Sequence, residues 1–207
     1  MSRQNYGFIY GSAGKRYPRY FRCLRELLMN GILKISSAEL AERLGLTPSQ
    51  VRTDLNGFGG AGQQGYGYNV KLLYTEISRE LGVGDGMTAI VIGGDTALAG
   101  LLATRFEGRG VTVTGHFAVT SAAGAEETER LLAHLNALPT DIAVVIALPE
   151  GREDLPRELV ARGIGGIWNL MQTDLVLPIP VLNLPIGDIL SSLCCDIKKY
   201  RREGGVP

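Results

Sequence analysis

Ser49, Gln50, Arg52 and Thr53 lie together on the polar side of one short predicted helix. Glutamine pairs bidentately with adenine and arginine with guanine, so this side has the chemistry to read base edges in a major groove. A second group, Ile92-Gly93-Gly94-Asp95-Thr96-Ala97, stands between an apolar strand-like run and an apolar helix. That layout presents the free N–H groups of a helix N-terminus to a pyrophosphate. Neither a nucleophile–base constellation nor metal-ligand spacing occurs, so the sequence nominates no catalytic residue and no metal ligand. Of the two histidines, His116 is expected at a strand end beside the nucleotide crevice and His134 on a helix surface. Cys194-Cys195 falls in an apolar helix with Ile189, Leu190, Leu193 and Ile197, where cysteine is read as a small packing residue rather than a redox sensor.

The base-reading residues need a frame. Apolar residues from Tyr20 to Leu28 recur at helical spacing, and Asn30-Gly31 supplies a C-cap. Ser36 or Ser37 can cap a second helix, with Glu39 in capping-box register after Ser36 and Gly45 closing it. Thr47-Pro48 opens a third, as N-cap and first-turn proline. Helix, short glycine turn and helix make a helix-turn-helix, whose second member enters the major groove. The next stretch, Phe58 to Tyr68, holds five glycines in eleven residues and suits a hairpin wing carrying Gln63 and Gln64. The alternative is a structural helical corner inside a larger domain.

Charge distribution favours DNA over that alternative. The 207-residue chain has no formal net charge, yet residues 1–68 hold nine Lys/Arg against four Asp/Glu, so an acidic remainder balances a basic first third. A basic segment of this kind suits a polyanion. Apolar residues at 45% provide for a packed core, and three cysteines are a poor disulfide framework. No apolar run reaches the ~18 residues of a membrane span. A cytoplasmic protein is expected.

The nucleotide-type turn needs a sheet. After a predicted linker helix at residues 69–81, strands and helices alternate: strands at 88–92, 111–117, 141–148, 165–169 and 180–184, with helices at 98–106, 126–138 and 154–162. This reads as a Rossmann-like parallel sheet. Its glycine fingerprint is incomplete, with Ile92 in the first glycine position, Gly94 in the second and Ala97 in the third. No acid stands at the end of the second strand to take the ribose hydroxyls; the residue there is Ala118. A nucleotide fold that has lost its nucleotide therefore stays open. A last helix, from about residue 186 to 202, is apolar on one side, ends in Lys198-Lys199-Tyr200-Arg201-Arg202, and is suited to dimerisation or to packing on its own domain.

Together these residues resemble the Rex family of redox-sensing transcriptional repressors. The resemblance runs from Arg16 to Tyr200 and is carried by Arg16-Tyr17-Pro18 with Tyr20 and Arg22, by Ile35-Ser36-Ser37-Ala38-Glu39-Leu40-Ala41-Glu42, and by Thr47-Pro48-Ser49-Gln50-Val51-Arg52-Thr53-Asp54-Leu55. Phe58-Gly59, Gly62, Gly65 and Gly67-Tyr68 complete it. It implies a homodimer with a swapped C-terminal helix, bound to a palindromic operator in double-stranded DNA and released when NADH binds. Ser49, Gln50, Arg52, Thr53 and Asn56 would read bases, while Arg16, Gln63 and Gln64 hold the backbone. Gly93, Gly94, Asp95, Thr96, Ala97 and Ala118 would line the NAD(H) site.

Departures from the family pattern include Thr53 and the wing glutamines where basic residues are usual, Ile92, Ala118, Asn169-Leu170-Met171-Gln172, and Asn183 where an aspartate is expected. The expected organisation is a winged-helix domain at 1–81, a Rossmann-like domain at 86–184, and a dimerisation helix and tail at 185–207. The leading function is a repressor responding to the NADH/NAD ratio. The alternatives are a DNA-binding paralogue whose α/β domain serves dimerisation or another effector and, less favoured, a nucleotide-dependent oxidoreductase.

Overall fold

The computed structural model describes residues 16–58, 62–63, 67–119 and 124–203. They form two compact units that divide between Asp85 and Gly86.

In the first unit, α1 (Tyr17–Met29) is followed by β1 (Lys34–Ile35), α2 (Ser37–Leu44), α3 (Pro48–Leu55), β2 (Gly62–Gln63), β3 (Gly67–Asn69) and α4 (Val70–Glu80). The caps decide where the helices stop and start. Ser36 and Glu39 form a reciprocal capping box on α2, Gly45 ends it in the left-handed conformation, and Thr47 caps α3 with Pro48 behind it. The three short strands pair antiparallel in the order β1-β3-β2. Tyr20, Phe21, Leu24 and Leu27 of α1 meet Leu40, Ala41 and Leu44 of α2, Val51 and Leu55 of α3, and Leu73 and Ile77 of α4 in one buried cluster. The helix expected as a linker is therefore a core element of this unit, and its Tyr74 stacks on Phe21 at 5.0 Å between ring centroids.

The second unit runs β4 (Met87–Ile92), α5 (Thr96–Glu107), β5 (Val111–Phe117), α6 (Gly124–Ala137), β6 (Ile142–Val145), α7 (Leu155–Ala161), β7 (Gly166–Asn169), β8 (Val181–Asn183) and α8 (Ile186–Arg202). The strands form one parallel sheet in the order β5-β4-β6-β7-β8. Side chains alternate across β4 and β6. Ile90, Ile92, Ala143 and Val145 pack with Leu131 and Leu135 of α6 and Leu155 and Leu159 of α7, while Val91 and Val144 pack with Ala99 and Leu102 of α5. Both faces are covered, which is why these two strands read as unbroken apolar runs. Because β5 and β6 flank β4, the connection from β4 to β5 and the later one from β5 to β6 run in opposite directions, which makes the carboxyl ends of β4 and β6 the switch point where sheets of this kind bind ligands.

Two expectations need correction. α5 starts at Thr96, two residues before the predicted start, because Asp95 caps it by accepting the Leu98 N–H at 2.8 Å. His134 is half-buried: its Nε2 lies 3.1 Å from Thr114 Oγ1, and its ring meets Phe117 edge-on at 5.4 Å.

Candidate nucleic-acid interface and nucleotide crevice

Helix α3 buries Val51, Asp54 and Leu55 and exposes Ser49, Arg52 and Thr53, with Asn56 exposed as its C-cap residue. Four of the residues expected to read bases thus share an exposed polar edge. The Arg52 guanidinium donates to Ser37 Oγ at 3.2 Å, and the Thr53 hydroxyl donates to the Ser49 carbonyl at 3.0 Å. Gln50 is half-buried and turned inward, its Nε2 donating to Asp54 Oδ1 at 2.8 Å. Gln63 lies in β2, and Gln64 falls outside the described residues.

Asp54 organises this site. Its side chain is 1% exposed, and the Arg16 guanidinium grips it with Nε and Nη2 at 2.6 and 2.5 Å. The Tyr20 hydroxyl donates to Oδ2 at 3.0 Å. Burial pushes the carboxyl towards protonation, but hydrogen bonds from Arg16, Gln50 and Tyr20 outweigh it and hold Asp54 below the usual carboxylate range. The Tyr20 phenol is pushed far above its ordinary value, first by burial and then by the Asp54 carboxylate. Arg16, expected on the DNA backbone, is the bidentate partner of Asp54 and ties the start of α1 to α3. An acid at a buried register position of α3 was the available sign that a cation had to come to it.

In the second unit, residues 93–95 form the turn from β4 into α5, whose first residues are Thr96 and Ala97. Ile92 is the buried last residue of β4, and the left-handed conformations fall one and two residues later, on Gly93 (φ 81°) and Gly94 (φ 72°). The turn therefore needs no glycine at position 92. A Cβ on Gly93 would stand 2.5 Å from the Ala147 nitrogen, so β4 and the segment after β6 close on each other only around glycine. Gly94, Asp95, Thr96 and Ala97 are exposed. The N–H groups of Thr96 and Ala97 lie in the first turn, where a helix offers no internal acceptor. They fit a pyrophosphate, although the Asp95 carboxylate already occupies the neighbouring donor. His116 Nε2 lies 3.3 Å from the Gly93 carbonyl oxygen.

Ala118 has no acid of its own, but its N–H donates to Oε2 of Glu127 at 3.2 Å. Glu127 stands in the first turn of α6, and sequence reasoning missed it. Among the described residues no cluster of three or more His, Cys, Asp or Glu side chains could hold a metal ion, and no helix is long and apolar enough to cross a membrane.

Residues 12–56 match the family described as "Putative DNA-binding protein N-terminus". The chain is 39% identical over 193 residues to the redox-sensing transcriptional repressor Rex of Caldanaerobacter subterraneus subsp. tengcongensis, covering 86% of this chain and 85% of that one. It is 38% identical to the Rex repressor of Clostridium botulinum strain Alaska E43, over 90% of this chain and 94% of that one. Among solved structures, it superposes with a TM-score of 0.79 on RSP in complex with β-NAD+ and operator DNA, at 33% identity, covering 95% of this chain and 96% of that one. RSP in complex with β-NADH matches with a TM-score of 0.73 at 31% identity, covering 95% and 98%.

Proposed function

This chain belongs to the Rex family of redox-sensing transcriptional repressors, and from that premise we propose that it is a cytoplasmic, homodimeric repressor binding palindromic operator DNA under NAD(H) control. The family is one of regulators rather than enzymes. The division of labour we assign is DNA to residues 1–81, effector to residues 86–184 and dimerisation to residues 185–207. The observation that carries the DNA reading is the exposed edge of α3, where Ser49, Arg52, Thr53 and Asn56 stand on a helix capped at Thr47. Arg52 is the strongest reader on this edge, because its planar fork can pair bidentately with guanine. Arg16, engaged by Asp54, acts by positioning α3, and it keeps Gln50 turned towards the same carboxylate.

The test is fluorescence anisotropy with a duplex selected by the chain from a random pool, repeated over a salt series. We expect log K to fall linearly with log salt, by about 0.9 for each phosphate neutralised. Arg52→Ala is expected to cost ~1–3 kcal/mol on the selected site, with discrimination relaxed at one base pair. A salt-independent affinity, or Arg52→Ala binding as tightly as the parent, would reject this interface.

For the effector, the β4–α5 turn and the first residues of α5, together residues 93–97, would hold the pyrophosphate of NAD(H), with Gly94 permitting close backbone approach and Thr96 and Ala97 donating. The bound nicotinamide would supply the redox signal. Addition of NADH is expected to lower the affinity for the duplex while NAD+ leaves it intact. The Asp95 carboxylate opposes the pyrophosphate, so Asp95→Asn, which keeps an N-cap side chain, is expected to tighten NADH binding roughly two- to fivefold in calorimetry. Asp95 also favours a second reading, in which the α/β unit serves dimerisation alone. DNA binding with no heat from millimolar NADH or NAD+ would select that reading.

A further inference from the structure

The adenosine end of the crevice lies at the carboxyl end of β5, where a dinucleotide site needs a carboxylate to accept both ribose hydroxyls. Ala118 supplies none. Glu127, nine residues on, brings a carboxylate to the same place from the first turn of α6. Its Oε2 accepts the Ala118 N–H at 3.2 Å, so it stands within reach of the nitrogen that an acid rooted at position 118 would also have neighboured. Its side chain is 14% exposed, and its other oxygen is held by Arg130, whose guanidinium carbon lies 5.7 Å from the centre of the Phe117 ring. The carboxylate is thus fixed from two sides, by the residue that follows β5 and by a residue of α6.

Resting on the reading of this unit as an NAD(H) sensor, we propose that Glu127 is the ribose-binding carboxylate of this chain, displaced from the strand end to the following helix. An ionised carboxylate offers about four lone-pair sites, and Ala118 and Arg130 take two of them. The remainder can accept the 2′- and 3′-hydroxyls of an adenosine ribose. The same geometry selects against a 2′-phosphate, which would face the Glu127 carboxylate, while the neighbouring cation is already paired with it. The site is therefore specific for NAD(H) over NADP(H) without an acid on β5.

The experiment is calorimetric titration of NADH, NADPH and an NADH analogue lacking the adenosine 2′-hydroxyl into the full chain and into Glu127→Gln. In the unmodified chain, NADH should bind at least about tenfold more tightly than either the analogue or NADPH. In Glu127→Gln, NADH and the analogue should bind alike, because the charged acceptor is gone. The unmodified chain alone tests the discrimination, so the result stands even if the variant folds poorly. If NADH binds but the 2′-hydroxyl makes no difference, or Glu127→Gln retains the full discrimination, the assignment of Glu127 fails while the sensor reading survives. Tighter binding of NADPH than of NADH would overturn it by giving Arg130 a phosphate to hold. No binding of any of the three would take down the sensor reading along with the assignment.

Discussion

Asp54→Ala should unfold the first unit at markedly lower temperature and, where the variant stays folded, weaken DNA binding. The carboxylate is buried and receives donors from Arg16, Tyr20 and Gln50. Removing it leaves a phenol hydroxyl and an amide without their acceptor and a guanidinium without its counter-charge. Breaking a buried pair from one side costs about 3–5 kcal/mol, and the Arg16 side chain, 21% exposed, can turn to water, which places the loss near the lower end. At about 3 kcal/mol a unit of this size should melt roughly 12–24 °C lower. Thermal denaturation followed by far-UV circular dichroism reads the loss, and a melting point within about 2 °C of the parent would show that the network contributes little. The pH dependence follows from the same geometry. Asp54 titrates lower in the folded chain than in the unfolded one, so its contribution is complete above the ordinary carboxylate range. It is lost as pH falls from the ordinary carboxylate range through the depressed folded value. Asp54→Asn should lack that acid limb.

This network also marks where reading the sequence stops being sufficient. Caps are local, and so the Ser36–Glu39 box, the Gly45 stop and the Thr47-Pro48 start could be placed from residues three or four apart. Apolar runs likewise foretold β4 and β6, because a strand covered on both faces has no polar alternation to lose. Of the partners of Asp54, Gln50 is local, but Tyr20 on α1 and Arg16 at its N-cap lie 34 and 38 residues away, and nothing in their spacing joins them to α3. The resemblance assigned Arg16 to the DNA backbone, and its carboxylate partner was not visible from the sequence. The nucleotide crevice shows a related limit. Motif matching asked for a glycine at position 92 and an acid at position 118, whereas the fold asks for left-handed residues in the turn and a carboxylate beside β5. Gly93 with Gly94 satisfies the first demand, and Glu127 offers the second from another element. His134 illustrates it again, since a helix register places a residue on a face but does not say that Thr114 and Phe117 will cover it.

Leu193→Asp should convert the dimer to a monomer and remove nearly all binding to a palindromic site. Helix α8 is 17 residues long, about 25 Å, and none of its residues is buried. Ile186, Ile189, Leu190, Leu193, Ile197 and Tyr200 are 40–60% exposed and recur three or four residues apart along one stripe. An apolar stripe of that length needs a cover, and a second copy of the chain supplies one with matching chemistry, since the same helix comes with it. Leu193 lies in the middle of the stripe, so a carboxylate there would be desolvated without a partner in any symmetric pairing. Two winged helices held in one dimer engage two half-sites with a high effective concentration, and separating them forfeits roughly 10²–10⁴ in affinity. Sedimentation velocity should show the loss of dimer, and anisotropy on the full palindrome should show the loss of binding. A half-site duplex separates the two effects, because Arg52 and its neighbours on α3 remain intact and should bind it equally weakly in parent and variant. If Leu193→Asp stays dimeric, α8 is not the dimer contact, and its apolar stripe must be covered by something other than a second copy.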